Sequence, residues 1–179
     1  MDKKPTTYKS FGEMSPQGGK QSHQGGRSTG GIGAPSDLPS GYLSLGFLDA
    51  DGNLLKEVFI DWPEKLTASL RTSKPPATKN SLRAFYSMLR MAKTQFDAKR
   101  DNLAKASADA RTQLYKLRTA AQYQHTRKVI SDLCQRFLFK NIDTVLEKGR
   151  TPEEFAKNFN AFVEHFQAVI AYLPEKAER

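Results

Sequence analysis

The sequence contains few of the residues from which several classes of protein are built. A single cysteine, Cys134, and three histidines occur in 179 residues, so an intramolecular disulfide framework is excluded and no Cys/His cluster has zinc-site spacing. No apolar run approaches the roughly 20 residues that cross a bilayer. The N-terminal residues also lack the apolar core of a signal peptide. We therefore expect a soluble, cytoplasmic protein without membrane association.

The glycines are concentrated in one part of the chain. Nine of the 12 lie within residues 1–41, together with four prolines and few large apolar side chains. Such a segment buries too little apolar surface to offset the entropy lost on ordering. The composition predicts a disordered Gly/Ser/Pro-rich tail over residues 1–41 and a single domain over residues 42–179.

The first part of that domain is the least regular. Two apolar segments, residues 42–48 and 54–60, flank an Asp-Gly turn signal at Asp51-Gly52. The pattern predicts either a short hairpin or a loop, because apolar and polar residues alternate poorly. We interpret Asp49 and Asp51 as turn-forming residues rather than metal ligands, since the loop lacks the twelfth-position Glu of an EF-hand.

The rest of the domain has the periodicity of helices. A short helix is predicted from Asp61, as N-cap, and it completes the segment 42–78. Apolar side chains three and four residues apart predict longer helices over about residues 80–98, 100–123, 126–147 and 152–173. The last has the strongest start signal, with Thr151 as cap, then Pro152, and Glu154 three residues after the cap. We expect an all-α, compact bundle of four to five helices with its core in residues 79–173.

Catalytic groups do not converge in this sequence. His125 and His165 have no Ser, Cys or carboxylate partner at a diagnostic spacing. His165 and Cys134 lie beside or within apolar helical positions, which favours a packing role. No phosphate-binding loop or dinucleotide fingerprint is present. The sequence therefore predicts no enzyme, no cofactor and no metal site.

The basic residues, in contrast, are clustered in one part of the chain and regularly spaced. Residues 80–140 hold 13 Lys and Arg against four Asp and Glu, which gives +9, the net charge of the whole chain. Four cations form one stripe on the first long helix, and three more share a face of the second: Lys79, Arg83, Arg90 and Lys93, then Arg100, Arg111 and Arg118. Tyr86 and Tyr115 lie within or near these stripes. Cations spaced along a rigid face are typical of phosphate recognition, and a nearby ring can stack on a base. The alternative is an ordinary solvated face.

Several motifs resemble one known family. These are Asp51-Gly52-Asn53-Leu54, Trp62-Pro63-Glu64-Lys65-Leu66, Ser81-Leu82-Arg83-Ala84-Phe85-Tyr86, Lys116-Leu117 with Ala120-Ala121, and a Phe-rich last helix that ends in Gln167-Ala168-Val169-Ile170-Ala171-Tyr172. Together they resemble the small helical subunit of type III-A CRISPR-Cas effector complexes, the Csm small subunit. The resemblance extends over about residues 48–173.

The resemblance implies a non-catalytic, helical subunit present in several copies. Such subunits line the path of the crRNA–target RNA duplex and bridge the repeated backbone subunit and the large signature subunit. The expected partners are therefore crRNA, target RNA, those two subunits and further copies of this chain. Seven cations are predicted to bind RNA. Arg83 and Lys116 lie in the resembling motifs. The other five are predicted only because they share a helix face with further cations: Lys79, Arg90, Lys93, Arg111 and Arg118. A stand-alone helical RNA-binding protein and a protein-binding helical adaptor are the alternatives.

Overall fold

The computed structural model describes residues 37–175, and these residues form helices without strands. The helices are α1 (Lys56–Phe59), α2 (Asp61–Thr72), α3 (Lys79–Asp97), α4 (Leu103–Thr126), α5 (Asp132–Lys148) and α6 (Pro152–Tyr172), with a 3₁₀ turn at Arg100–Asn102. The predicted all-α class is confirmed. Residues 1–36 of the predicted tail lie outside the described residues. None of the helices between residues 37 and 175 is both long and apolar enough to cross a membrane.

Helix α6 is the centre of the bundle. It packs against each of the other five helices, while α3, α4 and α5 also pack in succession. Its sequence explains this position, because Phe155, Phe159, Phe162 and Phe166 recur at three- and four-residue spacing and are fully buried. Each buried Phe contributes about 1.5–3 kcal/mol of transfer free energy. The Phe-rich helix is thus the framework on which the others are placed.

Capping boxes fix where two of the helices begin. At α6 the Thr151 hydroxyl accepts from the Glu154 backbone N–H, and the Glu154 carboxylate accepts from the Thr151 backbone N–H. The predicted start of this helix is confirmed. Thr78 and Ser81 form the same reciprocal arrangement at α3. Because such caps satisfy backbone groups that the first turn leaves unpaired, they define the register of both helices.

The predicted start of one helix and the predicted cap of another are wrong. The helix predicted from residue 126 begins only at Asp132, because Lys128 takes a left-handed conformation with φ of 58° and Ser131 caps the new helix by accepting from the Cys134 backbone N–H. At α2 the N-cap is Ile60 rather than Asp61, which is instead the first helical residue and makes no capping bond. Asp61 still favours the helix start through its charge.

The segment predicted as a hairpin or a loop is a loop with one bridge. Leu48 and Leu54 form an isolated antiparallel pair, and residues 56–59 turn into α1. Between them Asp49 Oδ1 accepts from the backbone N–H groups of Asp51 and Asn53, at 3.0 and 2.8 Å. The turn-forming role of Asp49 is confirmed. These bonds favour the ionised carboxylate and hold the pKa of Asp49 below its usual value.

Candidate nucleic-acid interface

The cations of α3 lie on one side of that helix. The adjoining side of the helix buries Leu82, Phe85 and Leu89 in the core, and Arg83 and Arg90 beside that apolar side are exposed. We call the four predicted cations, Lys79, Arg83, Arg90 and Lys93, the α3 cation surface. At 100° per residue these four positions lie within about a quarter turn of one another on α3, as the sequence predicts.

Arg83 and Arg90 are the exposed members of the α3 cation surface. Arg83 forms no ion pair or hydrogen bond from its side chain to any of residues 37–175, and Arg90 lies over the Tyr86 ring with Cζ 6.0 Å from the centroid. The Tyr86 ring is itself fixed, since it packs edge-on against Phe166 and its hydroxyl donates to Gln167 Oε1 at 3.1 Å. Tyr86 is therefore a support for Arg90 and its ring is not free to stack on a base.

Lys79 and Lys93 are paired with carboxylates at the protein surface. Lys79 Nζ lies 3.3 Å from Glu175 Oε1, and Lys93 pairs with Asp97 one turn later. Exposed pairs of this kind contribute about 0–1 kcal/mol, because water competes for both charges. A phosphate that approaches the surface can therefore displace these carboxylates at small cost.

Arg111 and Arg118 are half-buried and contact neighbouring parts of the domain instead. Arg111 donates to the Gly149 carbonyl, and its guanidinium lies 4.5 Å from the Phe155 ring centroid. Arg118 pairs with Asp143 and lies 3.9 Å from the ring centroid of Phe139. Arg111 thus joins α4 to the end of α5 and to α6, and Arg118 joins α4 to α5. The structure gives these two predicted residues intramolecular partners.

Lys116 is exposed on the outer side of α4, beside Tyr115, which the sequence placed near the second basic stripe, and Tyr123, which it did not single out. It lies in a shallow depression with Thr112, Tyr115, Thr119, Ala120 and Tyr123. We call these six residues the α4 outer face. Its two tyrosines are both more than half exposed, at 53% and 57%.

Two further cations follow the α4 outer face. Arg127 lies with Cζ 5.3 Å from the Tyr123 ring centroid, and its Nη1 donates to the Tyr123 hydroxyl at 3.3 Å. Lys128 is exposed in the turn that follows. Neither residue was predicted as a contact, because the turn falls between and within the helices predicted over residues 100–123 and 126–147. Their contribution to the charge of residues 80–140 was the signal that could have found them.

The histidines form no catalytic arrangement with the residues described. His125 Nε2 pairs with Asp132 across the α4–α5 turn, a carboxylate partner that sequence spacing did not reveal. The Asp132 carboxylate is largely exposed, and the pair joins two helix ends. His165 is buried, and both of its ring nitrogens have partners within the protein. Between residues 37 and 175 no group of three or more His, Cys, Asp or Glu side chains is placed to hold a metal ion.

Comparison with known protein families identifies a family for most of this chain. The model of the family described as Csm2 Type III-A matches residues 57–176, which include all of α2 to α6. The matched range contains the α3 cation surface and the α4 outer face. No curated protein and no solved structure matches the chain.

Proposed function

The chain belongs to the Csm2 Type III-A family and is a small subunit of the type III-A CRISPR effector complex, and on this premise we propose that it is a non-catalytic subunit that contacts the backbone of the crRNA–target RNA duplex through the α3 cation surface. The observation that carries the proposal is the exposed guanidinium of Arg83, which has no hydrogen bond or ion pair among residues 37–175. The exposed guanidinium of Arg90 lies two turns further along the same helix. The complex would act in the cytoplasm.

The chemistry of the α3 cation surface suits a duplex backbone. Seven residues separate Arg83 from Arg90, so the two lie about 10 Å apart along the helix axis. Guanidinium groups bind phosphate oxygens in two parallel hydrogen bonds, which gives contact without reading sequence. In RNA-guided complexes, base pairing with the guide supplies the specificity, so contacts limited to phosphate and shape suffice for the protein.

Exposed methionines on α3 support the proposed contacts with other subunits. Met88 and Met91 are exposed on α3, and Met91 is 61% accessible. At 3.6 residues per turn, Met88 lies about 140° round the helix from Arg83. Exposed methionines favour adaptable apolar contacts with other proteins. We propose that this second side of α3 contributes to bridging between the repeated backbone subunit, the large signature subunit and further copies of this chain.

The burial of His165 and Cys134 supports the proposal that the subunit is non-catalytic. His165 is fully buried, and burial lowers its pKa to about 4, so the ring is neutral at neutral pH. Burial raises the pKa of the Cys134 thiol to about 12, which suppresses the nucleophilic thiolate. Both groups are therefore placed for packing rather than for reaction.

The experiment is co-purification of the tagged full chain from its native host, with sequencing of the bound RNA. The variant is Arg83→Glu combined with Arg90→Glu. Its matched control is Lys56→Glu combined with Lys65→Glu, which makes the same change of charge at exposed lysines of α1 and α2. We expect wild type and control to recover spacer-derived guide RNA together with the other subunits.

The outcomes separate the proposal from its alternatives. Loss of RNA in the arginine variant, with protein partners retained, supports the proposed RNA contact. Recovery of partners without RNA by the wild-type chain contradicts the RNA contact and favours a protein-binding adaptor. Mixed cellular RNA without partners favours a stand-alone RNA-binding protein.

A further inference from the structure

The α4 outer face presents two tyrosine rings to solvent. Tyr115 and Tyr123 are eight residues apart on α4 and line the same shallow depression. At 1.5 Å per residue, their separation along the helix axis is about 12 Å. Large aromatic side chains dominate core and interface energetics when buried. Two half-exposed rings in one depression therefore point to a partner.

Neither ring is needed for the packing of the domain. Within residues 37–175 the Tyr115 side chain makes no hydrogen bond and no ring contact, and the hydrogen bond and cation contact of Tyr123 are both with Arg127, its neighbour one turn later. The contrast is with Tyr42, whose buried hydroxyl is hydrogen-bonded, and with Tyr86, whose ring packs on Phe166. The exposed pair thus has no structural role among the described residues.

The floor between the two rings is made of small apolar groups. The Thr112 hydroxyl donates to the Ala108 carbonyl at 3.2 Å, and the Thr119 hydroxyl donates to the Tyr115 carbonyl at 3.0 Å. Because both hydroxyls are turned back to the helix, their methyl groups are left to line the depression beside Ala120. A floor of methyl groups is suited to the flat apolar faces of nucleic-acid bases rather than to a polar ligand.

The electrostatics of this region favour an anion. The sequence contains no Asp or Glu between Asp109 and Asp132. Lys116, Arg127 and Lys128 are all exposed in that interval. A partner with planar apolar groups and regularly spaced negative charge matches both features, and single-stranded nucleic acid has this chemistry.

We infer that the α4 outer face binds single-stranded nucleic acid, with unpaired bases stacked on Tyr115 and Tyr123 and phosphates at Lys116 and Arg127. The bases of a duplex are stacked on one another and do not expose their faces to side chains. This inference therefore goes beyond the proposed contact of the α3 cation surface, since it concerns unpaired nucleotides and a different helix. It does not depend on that contact.

The test is fluorescence anisotropy of a labelled single-stranded oligoribonucleotide titrated with the full chain. The double variant Tyr115→Leu with Tyr123→Leu keeps apolar volume and helix propensity but removes both rings. We expect its Kd to rise about tenfold or more, because each lost base–aromatic stack weakens binding. The variant with Phe at both positions should retain wild-type affinity. The control Tyr172→Leu alters an exposed tyrosine of α6 and should have no effect.

A second probe separates stacking from phosphate contact. An oligomer of the same length with abasic sites retains every phosphate, and the wild-type chain should bind it as weakly as the Leu variant binds the normal oligomer. Equal affinity for both oligomers, no binding by the wild-type chain, or an equal loss in the Tyr172→Leu control overturns the inference. Loss of protein partners from the Leu variant without loss of RNA affinity also overturns it, because the face would then bind protein.

The same titration with Arg83→Glu and Arg90→Glu keeps the two proposals distinct. If the α4 outer face stacks unpaired bases, this variant still binds the normal oligomer more tightly than the abasic one, because both tyrosine rings remain. Loss in this variant together with no loss in the Leu variant assigns single-strand binding to α3 and contradicts the inference.

Discussion

The Tyr42 hydroxyl lies 2.6 Å from His165 Nε2, across 123 residues of sequence. His165 Nδ1 is 2.6 Å from the Val58 carbonyl, so Nδ1 carries the proton and the Tyr42 hydroxyl donates to Nε2. Asn141 Nδ2 in turn donates to the Tyr42 oxygen at 2.8 Å. This buried chain of bonds connects the segment before α1, α1 itself, α5 and the central helix α6.

The His165 network predicts that stability falls in mild acid. The pKa of His165 is lowered from 6.5 to about 4 by burial, so the unfolded state binds the proton more readily. The stability from this group is fully present above pH 6.5 and is lost as the pH falls towards 4. We expect the free energy of unfolding to decrease by about 2 kcal/mol between about pH 7.5 and about pH 5.

Urea unfolding of His165→Gln at both pH values measures this term. The variant should lose most of the dependence on pH, whereas the control His125→Gln, at a half-buried histidine outside this network, should keep it. An unchanged dependence in His165→Gln would falsify the assignment to His165.

The Tyr42 hydroxyl predicts a second effect on stability. Tyr42→Phe removes the donor to His165 Nε2 and an acceptor of the Asn141 amide, and it leaves both groups buried without their partner. We expect a loss of about 1–3 kcal/mol. The control Tyr86→Phe removes a hydroxyl whose hydrogen bond, to Gln167, lies at the surface, and it should cost less than about 1 kcal/mol. Equal losses in the two variants would contradict the role of the network.

Arg111 and Arg83 should respond differently to substitution. Arg111→Ala removes the hydrogen bond to the Gly149 carbonyl and the contact with the Phe155 ring, so we expect it to lower the free energy of unfolding by about 1.5–3 kcal/mol. Arg83→Ala should change it by less than about 0.5 kcal/mol, since the side chain is exposed. Thermal or urea unfolding of both variants tests this difference. Equal stability of the two would show that Arg111 is not structural.

Gly149 should tolerate no side chain. A Cβ atom at this position would lie 2.7 Å from Phe155 Cα and 2.7 Å from the Val145 carbonyl oxygen. Because both atoms belong to the backbone, they cannot move aside alone, and Gly149→Ala should cost about 1–3 kcal/mol. The neighbouring exposed control Arg150→Ala should change stability by less than about 0.5 kcal/mol. A wild-type unfolding midpoint for Gly149→Ala would contradict the close approach of α5 and α6.

Local signals explain which parts of the fold the sequence could predict. The start of α6 was predictable because Thr151, Pro152 and Glu154 act within one turn. The start of α5 was not, since Lys128 adopts a left-handed conformation that basic residues rarely take, and apolar spacing continues through the turn. A pattern of apolar residues reports burial, but it does not report a break in the backbone.

The candidate site was predictable only in part, because a single helix does not reveal its neighbours. Arg83 and Arg111 are equivalent in the sequence, as cations beside an apolar stripe. They differ because Gly149 and Phe155 approach α4, while Arg83 has no described partner. Tyr123 and Arg127 were missed for a related reason, since their exposure depends on how α4 ends.

The most direct test of the central proposal is the salt dependence of target RNA binding by the effector complex reconstituted with the full chain. Arg83→Gln combined with Arg90→Gln removes two phosphate contacts, so we expect the slope of log affinity against log salt to decrease in magnitude by about 2. The affinity should weaken equally for two unrelated guide–target pairs, because phosphate contacts do not read sequence. The control Lys56→Gln with Lys65→Gln should keep the wild-type slope. An unchanged slope and affinity in the arginine variant would contradict the proposal that α3 contacts the RNA backbone.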